Sequence, residues 1–156
     1  MSDIYLTLKL IHILGSTVLF GTGLGIAFFM WMAHRSRDPA AIAHTARVVV
    51  IADAVFTATA VVVQPVTGFA MAWLVGFTHR HFWIVASLGL YVLVGLCWLP
   101  VVWIQIQLRD LAAEAARAGT ALPERYHRLY RVWFWLGWPA FLGVIAIFML
   151  MIWKPW

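Results

Sequence analysis

The chain has 156 residues, 64% hydrophobic and only 11% charged, against roughly a quarter charged in a soluble domain; with a mean hydropathy of +0.90 this excludes an ordinary soluble enzyme or binding module. One cysteine, Cys97, excludes a disulfide framework and a cysteine-built zinc or iron–sulfur centre within one chain. The net charge of +5 would point to nucleic acid if it formed a patch on a soluble fold, but the basic residues lie between apolar segments, so the expected partner is the lipid bilayer and no nucleic acid.

Four uncharged stretches are long enough to cross about 30 Å of hydrocarbon, which takes roughly 20 helical residues. The first covers 10–33; it exceeds a signal-peptide apolar region, has no small-x-small site before His34 and is expected to be a retained span. The second covers 54–78 and is expected to begin earlier, near His44 or Arg47, with Gln64-Pro65 supplying a kink. That start carries Asp53 into the helix. The third covers 82–108, followed by an amphipathic extension that breaks at Ala118-Gly119 and precedes Pro123; the fourth covers 132–153. Backbone in lipid must satisfy its own hydrogen bonds, and uninterrupted apolar runs lack the alternation of a barrel. The expectation is one all-α domain over 1–156, an integral membrane four-helix bundle.

Arg35, Arg37 and Arg47 flank the first connection and Arg109, Arg117, Arg125, Arg128 and Arg131 the third, leaving only Lys9, Arg80 and Lys154 on the other side. The positive-inside rule makes the Arg-rich side cytoplasmic and both termini external, which for a bacterium means the inner membrane with periplasmic termini.

His12 lies about 10 Å inside the boundary if Tyr5 marks it, at 1.5 Å per residue. An intramembrane imidazole is a functional candidate, or a core group bonded to a neighbouring helix. At helical spacing it shares a face with Gly15, Ser16, Thr22 and Gly23, a strip with little bulk against which a flat macrocycle could lie while His12 ligates its iron; close helix packing needs the same strip. Gln64, at similar depth, is the expected acceptor for the other ring N–H, and Arg80 or Lys154 the expected propionate contact. Gly21 and Gly25 form a Gly-x-x-x-Gly pair on the opposite face, a helix-packing surface that permits a homo-oligomer.

His79-Arg80-His81 offers an anchor for a propionate, a metal or a quinone headgroup, or is simply an interfacial polar turn. Asp53 lies roughly 9 Å in from Arg47; it is expected to pair with Arg47 or Arg131, or to be protonated and serve as the catalytic proton carrier of a redox site. Trp133, Trp135 and Trp138 are candidates for an aromatic pocket wall or for ordinary packing.

Asp53, Gln64-Pro65-Val-Thr-Gly68, Cys97-Trp98-Leu-Pro100-Val-Val-Trp103-Ile-Gln105, Gly137-Trp138-Pro139 and Trp153-Lys154-Pro155 resemble a bacterial family of integral membrane proteins, domain of unknown function 2269. More distantly, Leu10-Ile11-His12-Ile13, Met30-Trp31-Met32-Ala33-His34 and Lys154-Pro155-Trp156 resemble copper-resistance protein D and the haem-containing membrane protoporphyrinogen oxidase. That likeness implies His12 as an axial ligand to haem b. Gly137-Trp138-Pro139 replaces the Asn-Glu-x-Pro type element of the oxidase, so its activity does not carry over. The expected function is a haem b redox protein that passes electrons or oxidises a hydrophobic substrate such as a porphyrinogen. The alternative is a non-enzymatic component, either copper-handling through Met30, Met32, Met149 and Met151 or an accessory subunit.

Overall fold

The computed structural model describes residues 3–76 and 81–155. They form α1 (Asp3–Ser36), α2 (Pro39–Ala52), a π-helical turn (Asp53–Thr57), α3 (Ala58–Leu74), α4 (Phe82–Ala118) and α5 (Glu124–Trp153). The π turn joins α2 to α3 without interruption, so four helices are long and apolar enough to cross a membrane. The protein is an all-α membrane bundle, with no strand among the described residues.

The helix ends follow local chemistry. Asp38 caps α2 by accepting from the Ala40 N–H at 2.9 Å, with Pro39 in the first turn; a short acceptor followed by proline is a strong start signal. It moves the start of the second span upstream of the expected His44 or Arg47. Helix α4 continues past the apolar stretch and stops where expected: Gly119 is left-handed at φ 64°, and the Thr120 N–H closes onto Ala115 O at 3.0 Å, as in a glycine-terminated helix. The second span differs from expectation in its irregularity. Pro65 is accommodated inside α3, and the departure from α geometry lies about three turns earlier, where Asp53 enters the bundle. Single π turns are frequent at functional sites.

Packing is uneven along the bundle. At the Arg-rich end α2 lies on α4 and α4 on α5, and Met30, Ile42, Ala46, Leu108, Ala112 and Tyr126 are wholly buried between them. Small residues there let backbones approach without a hydrophobic driving force from water. At the opposite end α1 keeps close to α3 while α3 and α4 diverge. Close approach of α1 to α3 is made at Gly15, where a Cβ would fall 2.5 Å from the Gln64 side-chain nitrogen; between α4 and α5 it is made at Gly143, where it would fall 2.7 Å from Val94. Among the described residues Gly21 and Gly25 meet no other helix: beyond the local backbone of α1, nothing lies within 4 Å of a Cβ at Gly21, and at Gly25 only the Phe29 ring of the same helix does. The expected packing face is on the exterior because the bundle uses the Gly15 side of α1.

Candidate functional site

The divergence of the helices leaves a cavity of about 830 Å³ lined by all four spans, within the size range of small-molecule and cofactor sites. Its walls are mostly aliphatic and aromatic. Among the polar groups of the wall, Lys9 and Lys154 lie near the Arg-poor mouth, His12 and Gln64 midway, Asp53 and Thr57 deeper, and Gln105 with Trp133 at the floor.

His12 is held by α3. Its Nδ1 lies 2.8 Å from Thr67 Oγ1, and the Thr67 hydroxyl has its single hydrogen directed back to Val63 O at 2.7 Å. Facing His12 the hydroxyl therefore accepts, which places the imidazole proton on Nδ1 and leaves the Nε2 lone pair for a ligand. The ring packs on Gly68, where a Cβ would stand 3.4 Å from His12 Cε1. The Gln64 side-chain amide donates to the His12 carbonyl oxygen at 2.9 Å, and the Gln64 backbone lies in hydrogen-bonding reach of the ring. Ring and backbone of one histidine are thus tied to one stretch of α3, and the ring acceptor is Thr67.

The strip expected around His12 divides between two faces. Ser16 and Gly23 line the cavity with His12, whereas Gly15 lines a shallow groove between α1 and the second span, and Thr22 is half-buried outside both. The Lys154 ammonium lies 5.5 Å from the centre of the Trp83 ring. His79 and Arg80 lie outside the described residues; His81 is the residue before α4. Among the tryptophans, Trp133 and Trp138 line the cavity and Trp135 does not.

Asp53 is 4% exposed and takes neither expected partner. The Trp98 indole N–H reaches both carboxylate oxygens at 3.2 Å, while Arg131 lies 3.9 Å from Glu124. Gln105 on α4 and Trp133 on α5 are buried, and Gln105 Oε1 and Trp133 Nε1 have no hydrogen-bond partner among the described residues. Gln105 is conspicuous in the sequence as an amide inside an apolar run; Trp133 is legible there only as a pocket wall or packing residue, because which way its indole N–H faces depends on helix rotation.

A second aromatic cluster lies at the Arg-rich face, beyond the apolar stretch of α1. The His34 ring stacks on Tyr130 at 3.6 Å between centroids and 11° between planes, and its Nδ1 lies 3.3 Å from the Tyr126 hydroxyl. Burial, His127 and Arg37 together push the His34 imidazole below its ordinary value. Burial and Tyr130 push the Tyr126 phenol up.

No group of three or more histidine, cysteine or carboxylate ligands comes together among the described residues. The profile of a family described as a predicted integral membrane protein (DUF2269) matches residues 6–155. No curated protein and no solved structure matches the chain.

Proposed function

Since the chain belongs to the DUF2269 family of predicted integral membrane proteins, we propose that it is a membrane haem b protein, with His12 as the protein's ligand to iron. The carrying observation is the His12 ring itself, whose Nδ1 is engaged by Thr67 and which lines a largely apolar cavity. The donor set fits: a neutral imidazole for iron, aliphatic and aromatic walls for the macrocycle, and ammonium groups at the mouth for carboxylates. Lys9 and Lys154 would hold the propionates, and Thr67 would fix the imidazole tautomer and raise its basicity.

Bound haem supplies one-electron chemistry. The chain's own part is to exclude water from the cavity, orient His12 through Thr67 and Gly68, and provide at Asp53 a carboxylate able to hold or release a proton. The reading includes a hydrophobic substrate, of which a porphyrinogen is one class. It places the protein in a bacterial inner membrane with both termini periplasmic, on the partition of arginines described above. The exterior Gly21 and Gly25 offer a surface for a second copy. Copper handling is the weaker reading, because Met30 is wholly buried in the core while Met32 and Met149 face outward, so no paired thioether site forms from them.

Protein purified from cells supplied with haem should show a Soret band. His12→Ala should abolish or strongly shift it, and His127→Ala, at an exposed position, should leave it intact. An unaltered spectrum in the His12 variant, or no haem in the wild type, would sink the reading in favour of an accessory subunit.

A further inference from the structure

The deep end of the cavity has a polar arrangement that ligation at His12 does not use. Asp53 and Gln64 are eleven residues apart on one continuous helix, so the Asp53 level lies about 16 Å below the His12 and Gln64 level. Around and beneath it two buried atoms lack a partner and one carboxylate keeps spare acceptor capacity. Gln105 Oε1, on a residue 2% exposed, needs a donor; Trp133 Nε1–H, on a residue 5% exposed, needs an acceptor. The Asp53 carboxylate accepts from the Trp98 indole, has the Thr57 hydroxyl beside it, and keeps a lone pair for a further donor. Buried polar groups in native proteins are nearly always hydrogen-bonded, so groups orphaned beside a cavity define what should enter it.

From these groups we infer that the floor of the cavity is a binding site for the head of a lipid-soluble benzoquinol, an aromatic ring with a hydroxyl at each end and an apolar tail. One hydroxyl donates to Gln105 Oε1 and accepts from Trp133 Nε1–H; the other donates to the Asp53 carboxylate. The spacing fits such a ring. Trp98, which marks the Asp53 level, and Gln105 are seven residues apart on α4, about 10 Å along the axis, a span suited to one six-membered ring with a hydrogen bond of about 2.8 Å beyond each oxygen. An aliphatic alcohol reaches one level and leaves the other unsatisfied. A quinone has no donor for either Gln105 Oε1 or Asp53. The apolar walls above the floor accept the tail. The inference deepens the reading of a hydrophobic substrate in this cavity and does not require iron at His12.

The test uses the full chain in lipid nanodiscs, labelled with ¹⁵N at the tryptophan indoles and titrated under argon with a decyl-substituted benzoquinol. The Trp133 indole resonance, identified by its loss in Trp133→Phe, should move downfield, while that of the exposed Trp73 stays in place. Gln105→Leu should weaken binding on the order of tenfold or more while leaving thermal stability equal or higher, because it removes an orphaned buried oxygen; this variant carries the test if Trp133→Phe does not fold. The matching quinone and decanol should each bind at least about tenfold more weakly, the expected result of leaving a buried group unpaired. A stationary Trp133 resonance, unchanged affinity in Gln105→Leu, or equal binding of decanol or the quinone would overturn the assignment. Binding that survives His12→Ala separates this site from the haem reading, whose failure appears in the optical spectrum alone.

Discussion

Gly15 and Gln64 fit each other across the α1–α3 contact: a Cβ on Gly15 would fall 2.5 Å from the Gln64 side-chain nitrogen, the atom that donates to the His12 carbonyl oxygen at 2.9 Å. The missing side chain on one helix makes room for the amide that ties the next helix to the histidine. Gly15→Leu should therefore break the tie and part the helices, costing about 1–3 kcal/mol as overpacking does. Gly15→Ala should cost less, since the amide can swing aside at the loss of one hydrogen bond. Thermal melts at fixed detergent ratio measure both, and an unchanged melting point in Gly15→Leu would show that the contact does not hold the bundle.

Thr67 acts on His12 through its hydroxyl. Thr67→Val keeps the shape and removes the acceptor for Nδ1–H, so the imidazole loses its fixed tautomer. Haem affinity should fall about 10–100-fold, as for loss of a partner behind a metal ligand, with Thr67→Ser retaining most of it. Haem titration of the apoprotein reads this directly, and equal affinities in Val and Ser variants would remove Thr67 from the site.

Asp53 depends on the Trp98 indole. Trp98→Phe should leave a buried carboxylate short of a donor and destabilise the bundle by about 1–3 kcal/mol, whereas the same change in an Asp53→Leu background should cost less. A coupling energy above about 0.5 kcal/mol in the double-mutant cycle is the expected outcome; additive losses would mean that the indole contributes only packing.

His34 makes stability pH-dependent at the Arg-rich face. Its imidazole is pushed below the ordinary value of about 6.5 by burial first, then by His127 and Arg37. The unfolded chain then binds more protons than the folded one in the window just under that value, and stability rises with pH across it. The contribution is fully present above about pH 6.5 and is lost on acidification toward the folded-state value. His34→Phe, which preserves the stack on Tyr130, should flatten the fall in melting temperature on acidification below about pH 6.5; an equally steep fall in the variant would assign the effect to other groups.

The arginine partition places both chain ends on the Arg-poor side. A reporter active only outside the cytoplasm should work when fused to either end, and one inserted at Gly119, in the turn between α4 and α5, should not. Activity at Gly119 with silence at the ends would invert the topology.

The membrane class, the four helices and the breaks at Gly119 and Pro123 are legible in the residues alone, because segment length, hydropathy and backbone chemistry are local properties of one element. His12 and Asp53 are legible too, since polar groups in apolar runs are conspicuous without any fold. Their partners depend on how the helices pack. Thr67 meets the Nδ1 of His12 while the Gln64 side chain ties the histidine's backbone, Trp98 rather than an arginine meets Asp53, and Gln105 joins Trp133 at a cavity floor. Each of these depends on helix rotation and on the place where α3 leaves α4. Those are set by which small residues meet across the bundle, at Gly15 and not at Gly21 and Gly25. In lipid both faces of α1 are almost equally apolar, so hydrophobicity does not choose between them; close packing does.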